Sequence, residues 1–138
     1  MSLDSIDIEF RVRYAETDRM GVVHHSRYFV YFEMGRTELL RKHGIAYRDL
    51  EDAGVFFVVA KLSAKFLAPA RYDDVLVLST HTERITTARI DHSYVLRRKD
   101  DLAVLTQAES TLACVNGQGQ IIAIPDSVRN PIAGPQGV

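Results

Sequence analysis

At 138 residues the chain has room for one ordinary core and not for two. Seventeen lysines and arginines against 18 aspartates and glutamates leave no global positive field, which argues against nucleic acid as a partner while leaving room for a local basic patch facing a phosphorylated small molecule. Cys114 has no partner for an intrachain disulfide, the N-terminus alternates acidic and apolar residues instead of resembling a signal peptide, and no apolar stretch reaches membrane-spanning length, so the expectation is a soluble, unprocessed, cytoplasmic protein.

From Ile6 to Tyr14 apolar residues alternate with Asp7, Glu9, Arg11 and Arg13, which predicts a half-buried strand. From Ser26 the period lengthens: Tyr28, Phe32, Gly35, Leu39 and His43 fall three or four apart, with Ser26 placed to cap a helix and Gly44 to stop it. A glycine inside a helix costs about 1 kcal/mol relative to Ala, so Gly35 predicts a very close neighbour. A short helix or turn is expected over 47–52, ended by Gly54. Alternation resumes at Ala60, Leu62, Ala64 and Phe66. Pro69 and Asp73-Asp74 then mark a turn, and strands follow over Leu76 to Thr82 and Ala88 to Leu96. After the Lys99-Asp100-Asp101 turn, Leu102 to Val115 is apolar on both registers, as in a strand covered on both sides. Asn116-Gly117 signals a hairpin into Ile121 to Ile124, with Pro125 as its stop. These elements describe an α+β domain over residues 1–129, in which a curved antiparallel sheet buries one helix, and a disordered tail over 130–138. Open sheet edges predict self-association.

The junction between the first strand and the helix, Tyr14 to Tyr28, carries the densest chemistry: a phenol, carboxylates, a glycine turn and two imidazoles. A carboxylate beside the free N–H groups of a helix start supplies what attack on a carbonyl needs. Asp18 can attack directly or activate a water, and backbone N–H groups from Gly21 through Val22 and Val23 to His25 can polarise the oxygen. The competing role for Asp18 is to stabilise the loop as a cap or Asx turn.

The Thr17-Asp18-x-x-Gly21-Val22-Val23-x-His25 loop, the Tyr28-x-x-x-Phe32-Glu33 helix start, Ala68-Pro69-Ala70-Arg71-Tyr72-Asp73-Asp74 between strands and the Asn116-Gly117 hairpin ending Ile124-Pro125 resemble the hot-dog-fold acyl-CoA thioesterases. The type is that of 4-hydroxybenzoyl-CoA thioesterase, and within it the chain is most similar to the Tol-Pal-associated bacterial branch. The resemblance implies a hot-dog fold of five or six antiparallel strands around one long central helix over Arg27 to His43. It also implies edge-to-edge dimers, often paired into homotetramers, with sites at the subunit interface. Asp18 matches the catalytic carboxylate, His25 a histidine working with it, and Tyr14 a tyrosine of the same site. The 4-hydroxybenzoyl-CoA enzyme itself carries aromatic residues where His24 and His25 stand, so a benzoyl substrate is not carried over. The implied substrate is an acyl-CoA or acyl-carrier-protein thioester, with coenzyme A as part of the substrate and no separate cofactor or metal.

Coenzyme A phosphates ask for arginine or lysine. Arg84 and Arg89, with Arg97, Arg98 and Lys99, are the candidates, against the alternative of a solvated sheet face. The pantetheine arm would use an apolar groove between Val58 to Ser63 of one subunit and the helix-start loop of the other, and Phe56, Phe57 and Leu67 would set its depth. Glu33 is the second candidate carboxylate, with pairing to an arginine as its expected role. His24 is expected to be structural or exposed, Glu16 solvated, and His81 and His92 satisfied in the core or on the surface. A non-catalytic acyl-CoA or lipid-binding module is the competing class.

Overall fold

The computed structural model describes residues 4–133. The strands β1 (Ser5–Arg11), β2 (Phe56–Phe66), β3 (Val75–Ile85), β4 (Arg89–Arg98) and β5 (Val104–Val115) form one antiparallel sheet in the order β1-β3-β4-β5-β2. The helices are α1 (His25–Arg41), α2 (Tyr47–Asp52) and α3 (Asp126–Ala133).

The two-residue period of β3 and β4 turns Leu76, Leu78, Thr80 and Thr82, and Ile90, His92, Tyr94 and Leu96, toward the helical side, where all are buried. Helix α1 answers with Tyr28, Tyr31, Phe32, Gly35, Arg36, Leu39 and Leu40, the buried stripe of a 3.6-residue period. Phe32 stacks on Tyr94 at 4.6 Å and Tyr31 meets Phe10 at 4.6 Å. At Gly35 the helix backbone reaches the sheet: a Cβ there would lie 2.1 Å from Thr80 Oγ1 and 2.9 Å from Leu78 Cδ2. The close neighbour that Gly35 predicts is β3.

Several boundaries differ from the sequence reading. β1 stops at Arg11 rather than Tyr14; Val12 remains buried and bonds Asp74 and Asp73, but the chain then enters a 3-10 turn at Tyr14–Glu16. The cap of α1 is His24 and not Ser26, whose N–H donates to the His24 ring. Gly44, at φ +76, closes the turn after the helix as expected. The Asn116 turn forms, with its Oδ1 accepting from the N–H groups of Gln118 (2.9 Å) and Gln120 (3.0 Å), yet the return segment is tied down by the isolated Val115–Ile121 bridge and by single bonds such as Ile122 N–H to Cys114 O and Ile124 N–H to Thr87 O, and forms no sixth strand among the described residues. The sheet therefore has five strands.

The largest correction is α3, which begins at Asp126 within the expected domain and carries residues 130–133, read as the start of a disordered tail, into a helix. Val128 and Ile132 are buried in a second apolar cluster with Leu40, Ile90, Cys114 and Ile124, Ala133 is buried as well, and the Arg129 guanidinium donates to the carbonyls of Thr86 and Thr87. Burial of this face overrides Pro131, which lacks the N–H that the helix would use. Residues 134–138 of the expected tail lie outside the described residues. No helix among the described residues is long and apolar enough to cross a membrane.

Candidate active site

The loop between β1 and α1 is held almost entirely by its own polar groups. Glu16, read as solvated, is 5% exposed: its carboxylate accepts the Arg13 N–H at 2.7 Å and pairs with the Arg13 guanidinium at 3.5 Å, while its carbonyl accepts the His24 N–H at 2.9 Å. Thr17 bridges Val23, and Asp18 N–H donates to the Val22 carbonyl at 2.9 Å. Gly21 sits at φ +78, the left-handed region that glycine enters without strain, and its N–H returns to the Asp18 carbonyl at 3.0 Å.

Asp18 closes this turn with one oxygen. Its Oδ1 accepts from Met20 N–H at 2.8 Å and from Val22 N–H at 3.4 Å, whereas Oδ2 has no hydrogen-bond partner among the described residues. The loop-stabilising role and an available carboxylate oxygen thus coexist in one side chain. Asp18 and His25 border the same depression of about 360 Å³, whose wall is Val23, Tyr28, Phe66, Leu67, Ala68 and Pro69. Tyr28 meets Phe66 edge-on at 5.0 Å, and burial pushes its phenol above the usual range. The wall residues after β2 were signalled in the sequence by an apolar run, Phe66-Leu67-Ala68-Pro69, that outlasts the strand.

The expected oxyanion donors are narrowed to one. The N–H groups of Gly21, Val22, Val23 and His24 are committed to Asp18 O, Asp18 Oδ1, Ala70 O and Glu16 O, and Val23 is itself buried. His25 N–H, at the first helical position, has no acceptor among the described residues and opens the N-terminus of α1.

Other candidates fall elsewhere. Tyr14 does not continue the inward stripe of β1: it is 76% exposed, packs edge-on against Tyr72 at 5.6 Å and does not border the depression. Glu33 makes no ion pair among the described residues; it borders a separate recess with Arg36, Thr37, Tyr47, Glu51, Phe57 and Leu112. Phe57 lies against Tyr47 in that recess, so of the three residues expected to set groove depth only Leu67 borders the Asp18 depression. The basic residues do not form one cluster. Arg84 and Arg89 flank the β3–β4 turn, while Arg97, Arg98 and Lys99 stand at the other end of β4, about 30 Å away at the rise of an extended chain. Arg98 is spent on Asp74 (3.4 Å), Asp101 (2.8 Å) and the Pro69 carbonyl (3.1 Å), which puts the depression at its end of the sheet; Lys99 pairs with Glu9 at 2.7 Å. His92 is buried with Nδ1 unpartnered among the described residues, and burial, with Arg36 and His81 adding to it, lowers its pKa to about 3.

A five-stranded antiparallel sheet backed by helices, with a carboxylate at the strand-to-helix loop, is the hot-dog thioesterase architecture. The model described as the Thioesterase superfamily matches residues 20–105, and the chain belongs to that family. Over 107 residues, covering 77% of this chain and 78% of the relative, it is 36% identical to the acyl-CoA thioester hydrolase YbgC of Escherichia coli O157:H7. Over 121 residues it is 35% identical to the acyl-CoA thioesterase YbgC of Haemophilus influenzae, covering 86% of this chain and 88% of that one. The crystal structure of a hypothetical protein from Aquifex aeolicus superposes with a TM-score of 0.86 at 31% identity, covering 92% of this chain and 98% of that one.

Proposed function

We propose that the chain hydrolyses acyl-CoA thioesters, with acyl-carrier-protein thioesters as the alternative carrier. The observation that carries this reading is Asp18 itself: one oxygen is fixed by loop N–H groups, the other is open, and His25 with the N-terminus of α1 borders the same apolar-walled depression. Oδ2 either attacks the thioester carbon, releasing thiolate and leaving a mixed anhydride that water cleaves, or accepts a proton from a water that attacks instead. Both routes convert thioester and water to acid and thiol. The His25 N–H faces the developing oxyanion, and its ring orients the water or the thioester. Where the depression is lined by Phe66 and Leu67, it receives the acyl end. No cofactor enters the reaction. Within the superfamily the loop motif supports placement in the Tol-Pal-associated branch, and with it a cytoplasmic enzyme.

The reading includes self-association. β2 is an edge strand with Val58 45% and Val59 49% exposed. A two-fold pairing of β2 with its copy is antiparallel, which lays the Phe56 end of one chain beside the Phe66 end of the other. Because Arg89 pairs with Ala113 and Phe56 with Val115, the β3–β4 turn of the second chain then arrives at the end of the sheet where Asp18 of the first chain stands. Arg84 and Arg89 would serve the coenzyme A phosphates from across the interface, with Val58 to Ser63 flanking the pantetheine arm and Tyr14 brought to the shared site. A dimer satisfies this arrangement, and a tetramer repeats it.

The test is thiol release from short, medium, long and aromatic acyl-CoAs by wild type and Asp18→Asn. Turnover by wild type, with kcat lowered by several orders of magnitude and acyl-CoA binding retained in the variant, is the expected result. Binding without turnover on every substrate would make the protein a ligand-binding module, and full activity of Asp18→Asn would move the chemistry to another carboxylate.

A further inference from the structure

His24 is an unusual residue at a helix N-cap, where Ser, Thr, Asp and Asn prevail. Its Nδ1 accepts the Ser26 N–H at 3.2 Å and lies 2.9 Å from Ser26 Oγ. An accepting Nδ1 carries no proton, so the neutral ring is the Nε2–H tautomer. Its backbone is fixed on both sides as well: His24 N–H donates to Glu16 O at 2.9 Å, and Arg27 N–H donates to His24 O at 2.9 Å. A Ser or Asp in this place would make the same cap. What neither could supply is a ring face, and the His24 ring lies against the His25 ring with centroids 4.1 Å apart and planes 31° from parallel.

We propose that His24 is a positioning residue for His25: its cap fixes the first turn of α1, and its ring face holds the His25 imidazole over the depression that Asp18 borders. The assignment rests on the thioesterase reading with Asp18 and His25 in the site. His24 need not touch substrate. It links the buried Glu16 turn on one side to both functional groups of His25, the open N–H and the ring, on the other. A side chain at the first helical position, exposed to solvent, would otherwise sample its rotamers freely. Stacking on a ring that is itself locked by its hydrogen bond removes that freedom.

Two variants separate cap from ring. His24→Asn keeps a capping acceptor and deletes the ring face; its Tm and KM should match wild type while kcat falls about tenfold, equivalent to about 1.4 kcal/mol of transition-state stabilisation. His24→Phe returns a ring face without an acceptor; its Tm should fall, and it should recover most of the kcat that His24→Asn loses. Wild-type kcat in His24→Asn, or equal loss of kcat in both variants, overturns the proposal. Should His24→Asn not fold, the kcat of His24→Phe decides alone, near-native turnover supporting the role and a tenfold loss opposing it. Asp18→Asn in the same assay keeps the two readings apart: full turnover there removes the site on which the proposal rests, whereas an inactive Asp18→Asn beside a fully active His24→Asn removes only the positioning role.

Discussion

A Cβ on Gly35 would stand 2.1 Å from Oγ1 of Thr80, a separation at which the Thr80 side chain, the helix or the strand must shift. Ala would favour the helix by about 1 kcal/mol in isolation, but overpacking a filled core costs about 1–3 kcal/mol, and here the obstacle includes Leu78 Cδ2 at 2.9 Å. Gly35→Ala should lower stability by up to about 2 kcal/mol net, read as a shift in denaturant midpoint. Thr80 Oγ1 is buried without a hydrogen-bond partner among the described residues, so Thr80→Ala should recover part of that loss when combined with Gly35→Ala.

In the proposed mechanism Asp18 serves the loop and the chemistry through different oxygens, and two substitutions should resolve them. Asn keeps an acceptor for the N–H groups of Met20 and Val22, whereas Ala keeps none. Asp18→Asn should therefore hold wild-type Tm with lost turnover. Asp18→Ala should add a stability loss of about 1 kcal/mol, the usual consequence of deleting such an acceptor. Thermal unfolding of both variants checks this; identical Tm values would mean that the turn does not need the side chain.

If Arg84 and Arg89 act across the interface, mutants defective in different halves of the site should complement. Arg89→Ala should raise KM with little effect on kcat, and Asp18→Asn should lack turnover at any substrate concentration. Mixed after reversible dissociation, the two should form heterodimers with one intact site each, about a quarter of the wild-type site density for random pairing. Recovery of low-KM activity is the expected result, and the absence of recovery would return the arginines to a solvated surface.

Acid should unfold the protein partly through His92. Its pKa lies near 3 in the fold and near 6.5 in the unfolded chain. Below about pH 6.5 the unfolded state thus binds one more proton, and stability falls by up to about 1.4 kcal/mol per pH unit until the folded value is reached. His92→Leu removes this contribution. Denaturation curves between pH 7 and pH 4 should be flatter with pH for the variant than for wild type, and parallel curves would show that His92 is not buried neutral.

Most of the sheet and α1 were legible because period two and period 3.6 are local properties, and Gly35 announced its contact through a local cost. What depended on distance in space was not legible. Arg84 through Lys99 look clustered along the sequence, yet an extended strand carries them to opposite ends of the sheet. Glu16 looked solvated because nothing in its neighbours reveals a 3-10 turn folding its carboxylate back onto Arg13. The donors of the loop looked free for the same reason: their acceptors are the loop's own folded-back groups, Asp18 and Glu16, and for Val23 the distant carbonyl of Ala70. α3 was hidden by Pro131 and by the glycines and proline beyond it, since its apolar face has meaning only against Leu40, Ile90 and Cys114. That Asp18 and His25 would share one depression was legible, by contrast, because the loop motif is short and continuous.

The burial of Cys114 beneath α3 has a practical side. It is the chain's sole sulfhydryl, fully covered, packed with Ile124, Val128 and Ile132, and shifted by burial toward the unreactive protonated form. Reagents that colour free sulfhydryls will leave the native protein unstained and report only the coenzyme A set free by turnover. Once α3 lifts, each chain contributes one equivalent of colour, so a single reagent follows catalysis in the folded protein and the opening of its second core when substrate is withheld.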